Sequence, residues 1–377
     1  MEKRTLDWLQ GLRGIAALLI VFVHARYVLR GTPSENFSES LFMPGAMGVD
    51  LFFLISGFIM VYTTRDSDSS LRYSAKFIAR RVARILPTYA TVSILGVYLL
   101  RPDGYLLELS NFKAILKSLL FLPINRDTPP FFDMPWGLGW TLNFEMYFYL
   151  FFAVSMLAGA YRRHALLAWT IATLILLPIL TKGSFSLDPQ NNYGFKSTYL
   201  NLITNPVIWL FPAGMLIGTA YLSSIRLPKG VATNCLVIAA ISIAIWSGYS
   251  GLFKFHGISH WGGPIAIAFL IFSISDLDKK IKTPKSLLWL GKVSFSLYLT
   301  HPIAQGLISK TIRSLDREDM IHTWSYIFIT TIAALILAHA SYLLLEVKLT
   351  SIAKEKILLS LDNTFNKERP TRTKSEQ

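Results

Sequence analysis

The sequence predicts an all-α, polytopic membrane protein with about ten transmembrane helices and both termini in the cytoplasm, on three observations. Of its 377 residues, 52% are hydrophobic and 16% charged, too little charge for a soluble chain of this length. Apolar runs long enough to cross a hydrocarbon core of about 30 Å recur along the chain. Basic residues gather in every second connection, as cytoplasmic loops require. The formal net charge of +14 is therefore divided among short segments, which argues against nucleic acid as a partner.

The first run, 8–28, follows Lys3 and Arg4 and has no small-residue cleavage site after it, so it reads as an uncleaved span. Further runs lie near 45–63, 85–100, 139–158, 164–181, 203–222, 231–248, 261–276, 287–309 and 323–346. The connection after the second carries Arg65, Arg72, Lys76, Arg80, Arg81 and Arg84. The one after the third balances Arg101, Lys113, Lys117 and Arg126 against Asp103, Glu108, Asp127 and Asp133, and it is rich in proline. Its apolar patch, 115–122, is too short to span and suits an interfacial or lid segment. Arg162 and Arg163, then Arg226 and Lys229, then Lys279, Lys280, Lys282 and Lys285 continue the alternation. The segment 182–201, on the opposite side, is rich in Asn, Gly, Ser and Tyr, which suit sugar rings and membrane interfaces alike. The domain reading is thus a transmembrane domain at 1–350 and a basic cytoplasmic tail at 351–377, partly disordered. Cys235 is the only cysteine, so an intramolecular disulfide and a Cys-based metal site are excluded.

Ionisable residues inside apolar runs are costly and point to function. Arg13 and His24 share one face of the first helix, separated by about three turns, or roughly 16 Å of rise. Topology places His24, Asp50, Glu145 and His301 together in the outer half of the membrane. A histidine beside a carboxylate makes a general base, so His24, oriented by Glu145 or Asp50, is expected either as the base or as a brief covalent carrier of the transferred group. Arg13, Arg80, Arg81 and Arg84 gather at the inner end, where they suit phosphate, from a lipid headgroup or a phosphorylated cofactor. Ser56, Asn143 and Tyr298 are the available oxyanion or substrate donors, with His301 as a further substrate-binding residue. An inner phosphate site and an outer base suit a phosphorylated cytoplasmic donor and an acceptor outside.

The motifs RGIAALLIVFVH from Arg13, GVDLFFLISGF from Gly48, RRVARILPTY from Arg80, WTLNFEMYFY from Trp140 and SFSLYLTHP from Ser294 resemble those of the bacterial membrane acyltransferase 3 family. The resemblance extends over nearly the whole membrane region. It implies ten core spans in the bacterial inner membrane, an acyl-CoA donor, most often acetyl-CoA, and a surface-carbohydrate hydroxyl as acceptor. It carries over to Arg13 and His24 as the signature pair, to Arg84 and to Glu145. Some relatives add a soluble hydrolase-like domain, for which this chain leaves no room. The last span ends LLLEVKL, without the Pro that often follows the Glu in relatives, and no catalytic role is assigned to Glu346. The resulting reading is an integral membrane O-acyltransferase of surface polysaccharide or its lipid-linked precursor, with membrane lipids as neighbours, no metal, and homo-oligomerisation left open. A proton-coupled glycolipid transporter is the alternative, in which the same buried charges form a relay.

Overall fold

The computed structural model describes residues 6–367, and among them every regular element is a helix. The α-helices are α1 (Asp7–Ala25), α2 (Glu35–Phe42), α3 (Met47–Thr63), α4 (Leu71–Leu100), α5 (Leu109–Leu119), α6 (Gly139–Met156), α7 (Arg162–Ile171) and α8 (Leu177–Lys182). They continue as α9 (Thr198–Ile203), α10 (Leu210–Leu222), α11 (Val231–Tyr249), α12 (Gly262–Ile274), α13 (Lys285–Lys292), α14 (Ser294–Ser314), α15 (Trp324–Ser341) and α16 (Thr350–Lys367).

Seven helical stretches among the described residues are long and apolar enough to cross a membrane, which makes this a multi-pass membrane protein: Asp7–Leu29, Glu35–Thr63, Leu71–Leu100, Gly159–Lys182, Thr198–Leu222, Val231–Tyr249 and Trp324–Asn366. The other expected runs are helical but lie outside these seven. α12 has 13 residues, α6 carries Asn143 and Glu145, and α14 carries Gln305, Lys310 and Arg313. The third run starts earlier than its apolar residues do. Ser70 Oγ accepts from Tyr73 N at 3.0 Å and caps the helix, so Arg80, Arg81 and Arg84 stand on α4 itself and not in a connection.

Small residues let the central helices touch. A Cβ on Gly57 would lie 2.1 Å from Phe211 O, and one on Gly214 would lie 2.0 Å from Leu54 O, so the backbones of α3 and α10 meet directly. Likewise a Cβ on Gly14 would lie 2.7 Å from Gly291 N, at the approach of α1 to α13. α1 packs against α3, α13 and α14, which sets Arg13 and His24 between the GVDLFFLISGF helix and the SFSLYLTHP helix.

The segment read as a tail begins as a helix. A π-helical stretch, Tyr342–Leu349, joins α15 to α16, and α16 packs along α4, where Asp362 pairs with Arg72 and, at 2.6 Å, with Lys76 Nζ. The rest of the tail lies outside the described residues.

Candidate active site

Three cavities lie around α1. The first, of about 510 Å³, is lined by Arg13, Arg80, Arg81, Arg84, Lys292 and Lys354 among others. A narrower one, of about 90 Å³, shares Arg13, Arg81 and Arg84 with it and continues past Ser56, Glu145 and Tyr149 to Thr141 and Tyr298. The third, of about 420 Å³, is lined by His24, Phe131, Met134, Trp136, Trp140 and Pro302. The wall between the second and third is polar. Tyr298 Oη lies 2.9 Å from Thr141 Oγ1 and donates to Leu138 O at 3.0 Å, and Leu138 also lines the His24 cavity.

The arginine end is rich in cationic side chains. None of Arg13, Arg80, Arg81 and Arg84 has a carboxylate within 4.0 Å among the described residues; Arg80 is exposed, but Arg13, Arg81 and Arg84 are half-buried, where unpaired charge is costly. What they have instead is weak or aromatic. Arg13 Nη1 donates to Gln10 Oε1 at 3.4 Å, Arg81 Nη2 to Thr63 Oγ1 at 3.4 Å, and the Arg81 guanidinium lies 5.1 Å from the Tyr149 ring centre. The structure brings all four residues to one cavity, and a guanidinium offers planar paired donors of the kind that suit phosphate.

The carboxylates fall differently from expectation. Glu145 is not beside His24: its Oε1 accepts from Ser56 Oγ at 3.0 Å and from the Tyr149 hydroxyl, in the cavity that Arg13 lines. Six residues into α6 is about 9 Å from the start of that helix, deep enough to leave the level of His24 for that of the arginines. Nor does Asp50 reach His24. Its carboxylate is bonded to His256 Nδ1 and to Gly257 N, each at 2.7 Å. Asn143 is buried, with Nδ2 donating to Met134 Sδ at 3.3 Å and Oδ1 unpartnered, and it faces none of the three cavities. Ser56 and Tyr298 do line the narrow cavity.

Of the four residues expected at the far end, the two histidines lie side by side. His24 and His301 lie with ring centres 4.9 Å apart, and His301 is completely buried. Glu346, to which the sequence reading assigns no catalytic role, lines the arginine vestibule and accepts from Ser296 N at 2.9 Å and from its hydroxyl. One residue escaped sequence reasoning. His256 stands in a polar connection, where nothing in the spacing links it to Asp50. Among the described residues no cluster of three or more His, Cys, Asp or Glu side chains is placed to hold a metal ion.

The chain is 29% identical over 313 residues to the exopolysaccharide production protein ExoZ of Rhizobium meliloti (strain 1021), covering 81% of this chain and 89% of that one. It is 28% identical over 228 residues to nodulation protein 10 of Rhizobium leguminosarum bv. viciae, covering 54% of this chain and 57% of that one. Against a Staphylococcus aureus (strain COL) protein named as a putative O-acetyltransferase it is 25% identical over 388 residues, covering 94% of this chain and 58% of that one. No solved structure matches. The model of a family described as "Acyltransferase domain" matches residues 6–343, from the foot of the Arg13 helix to beyond His301, and the chain belongs to that acyltransferase family.

Proposed function

We propose that the protein is an inner-membrane O-acyltransferase that moves an acetyl group from cytoplasmic acetyl-CoA to a hydroxyl of a surface polysaccharide or its lipid-linked precursor. The observation that carries the reading is the set of four arginines that line the wider cavity, three of which, Arg13, Arg81 and Arg84, also line the narrow cavity that runs toward Tyr298. The name of the Rhizobium meliloti relative supports a polysaccharide acceptor, and that of the Staphylococcus aureus relative supports O-acetyl transfer. The alternation of basic connections supports cytoplasmic termini and a donor entering at the arginine end.

In this mechanism the diphosphate of acetyl-CoA is held by Arg13, Arg80, Arg81 and Arg84, and the pantetheine arm extends along α1. The acceptor hydroxyl attacks the thioester carbonyl carbon, the C–S bond breaks, and CoA leaves as its thiolate. His24 takes the hydroxyl proton on Nε2 and returns it to the departing sulfur. The histidine is prepared for this because Nδ1 already donates to Ile20 O at 2.9 Å, which leaves Nε2 as the acceptor. Glu145 acts elsewhere, fixing Ser56 and Tyr149 along the path of the arm. Mass analysis of surface glycans from cells with and without the gene tests the reading. An acetyl-sized difference on a sugar is expected; identical glycans from both would overturn it.

A further inference from the structure

The histidine–carboxylate pair expected at His24 exists in this protein, but on other residues. Asp50, in the first turn of α3, is fully buried and holds His256 Nδ1 at 2.7 Å with one oxygen and Gly257 N at 2.7 Å with the other. With an ionised Asp50 as acceptor, Nδ1 carries the imidazole hydrogen and Nε2 keeps its lone pair. No residue described uses that lone pair, and the His256 side chain remains 12% exposed.

Holding the connection between α11 and α12 does not require this imidazole. Trp261 Nε1 donates to Phe253 O at 2.6 Å, Gly262 N to Gly257 O at 2.9 Å, and Ser259 Oγ to Leu187 O at 2.9 Å. Asp50 also grips the loop through the Gly257 amide alone. A Cβ at position 262 would lie 3.1 Å from Asp50 Oδ1 and 2.8 Å from Gly257 O, so a glycine there lets the loop close over the carboxylate. The imidazole is thus an addition to a loop already secured.

Its neighbours suggest its use. The His256 ring centre lies 5.5 Å from that of Trp140 and 6.5 Å from that of Phe131, and both of these line the His24 cavity. Phe131 is 46% exposed, an aromatic face open beside a hydrogen-bond acceptor. An aromatic face for ring C–H groups next to a fixed acceptor for a hydroxyl is the chemistry that recognises a carbohydrate.

We propose that His256, oriented by Asp50, and Phe131 form a carbohydrate subsite at the rim of the His24 cavity, His256 Nε2 accepting a hydroxyl of a sugar ring. This rests on the acyltransferase reading for its acceptor class, but it concerns binding, so the two can fail separately. Asp50 is here a positioning residue, acting through His256.

The test uses the full-length protein in nanodiscs with O-deacylated surface polysaccharide of the source cells as the probe. Polysaccharide binding and acetyl transfer from acetyl-CoA are read in the same samples. His256→Asn retains a donor near the Nδ1 position for Asp50 but removes the Nε2 acceptor. It is expected to weaken polysaccharide binding about 3- to 10-fold, the range for one neutral hydrogen bond, with acetyl-CoA affinity unchanged. Phe131→Ala is expected to weaken it similarly. Binding by His256→Asn equal to the parent's, with loss only in His256→Ala, would make the residue a loop pin and overturn the proposal. A parent that binds no polysaccharide overturns it too. A parent that binds but transfers no acetyl group, with His256→Asn binding weakly, would sustain the subsite and sink the acyltransferase reading instead.

Discussion

His24 and His301, 4.9 Å apart between ring centres, each give their Nδ1 hydrogen to the carbonyl four residues back on their own helix, Ile20 at 2.9 Å and Leu297 at 3.0 Å. A carbonyl only accepts, so both rings are fixed in the tautomer whose Nε2 bears a lone pair. His301 Nε2 is buried and has no partner. Two acceptors in one small space call for a donor, and an acceptor hydroxyl supplies one. Replacing His24 by Ala should therefore lower transfer by about 10²- to 10⁴-fold, the usual contribution of a positioned base, with the protein still in the membrane. Replacing His301 by Gln, which keeps a polar side chain there, should cost less. Normal acetylation of glycan by a well-expressed His24→Ala variant would remove the base from the mechanism.

At the other end, the prediction concerns donor affinity. If Arg13 and Arg84 hold phosphates, Lys at either position keeps the charge and loses the planar fork, a change of about 1 to 3 kcal/mol for a charge-assisted bond. At about 1.4 kcal/mol per tenfold, acetyl-CoA binding to the purified protein should weaken roughly 5- to 150-fold. His24→Ala should bind the donor nearly as the parent does. Lys variants with unchanged donor affinity and activity would make these arginines lipid anchors.

The sequence made the apolar helices and the clustering of arginines legible because both are written in local pattern: runs of apolar residues, and three arginines within five positions of α4. A common depth for His24 and His301 was legible for a related reason, since both stand late in runs expected to go outward, but their contact was not. Pairing at a given depth was not legible. Asp50 and Glu145 both stand early in helices that the charge pattern expects to enter from the same end, yet one turns to a loop histidine and the other to Ser56 and Tyr149. Depth fixes one coordinate of a side chain; the partner depends on helix rotation, which only packing sets. The irregular backbone at Tyr342–Leu349, where Glu346 lies, likewise follows from packing and carries no local motif.

Glu346 yields a stability prediction. It accepts from the amide of Ser296, in the first turn of α14, whose N–H groups have no carbonyl of their own helix to bond. The carboxylate therefore serves as a cap supplied by another helix. Glu346→Ala should destabilise the detergent-solubilised protein by about 0.5 to 2 kcal/mol, as loss of a helix cap does, and Glu346→Gln, which keeps the oxygen acceptor, should recover most of it. Equal thermal midpoints for the parent and Glu346→Ala would exclude the capping role.

The sidedness of the whole scheme has a direct test, because the two ends of the fold can be told apart by their contacts. The connection with Asn191 belongs to the Asp50 end: a Cβ on Gly257, whose amide Asp50 holds, would lie 2.7 Å from Pro189. Ser286 belongs to the arginine end, since it lies in the first turn of α13, where a Cβ on Gly291 would lie 2.0 Å from Gln10 O, just below Arg13. Cys235 is exposed on α11 and must first be replaced by Ser to remove background labelling. With basic connections retained in the cytoplasm, a membrane-impermeant thiol reagent added to intact cells should label Asn191→Cys and spare Ser286→Cys until the membrane is opened. The reverse pattern would turn the protein over, placing the arginines outside where no cytoplasmic acetyl-CoA could reach them. Labelling at both positions in intact cells would contradict a span count that keeps these two ends on opposite sides.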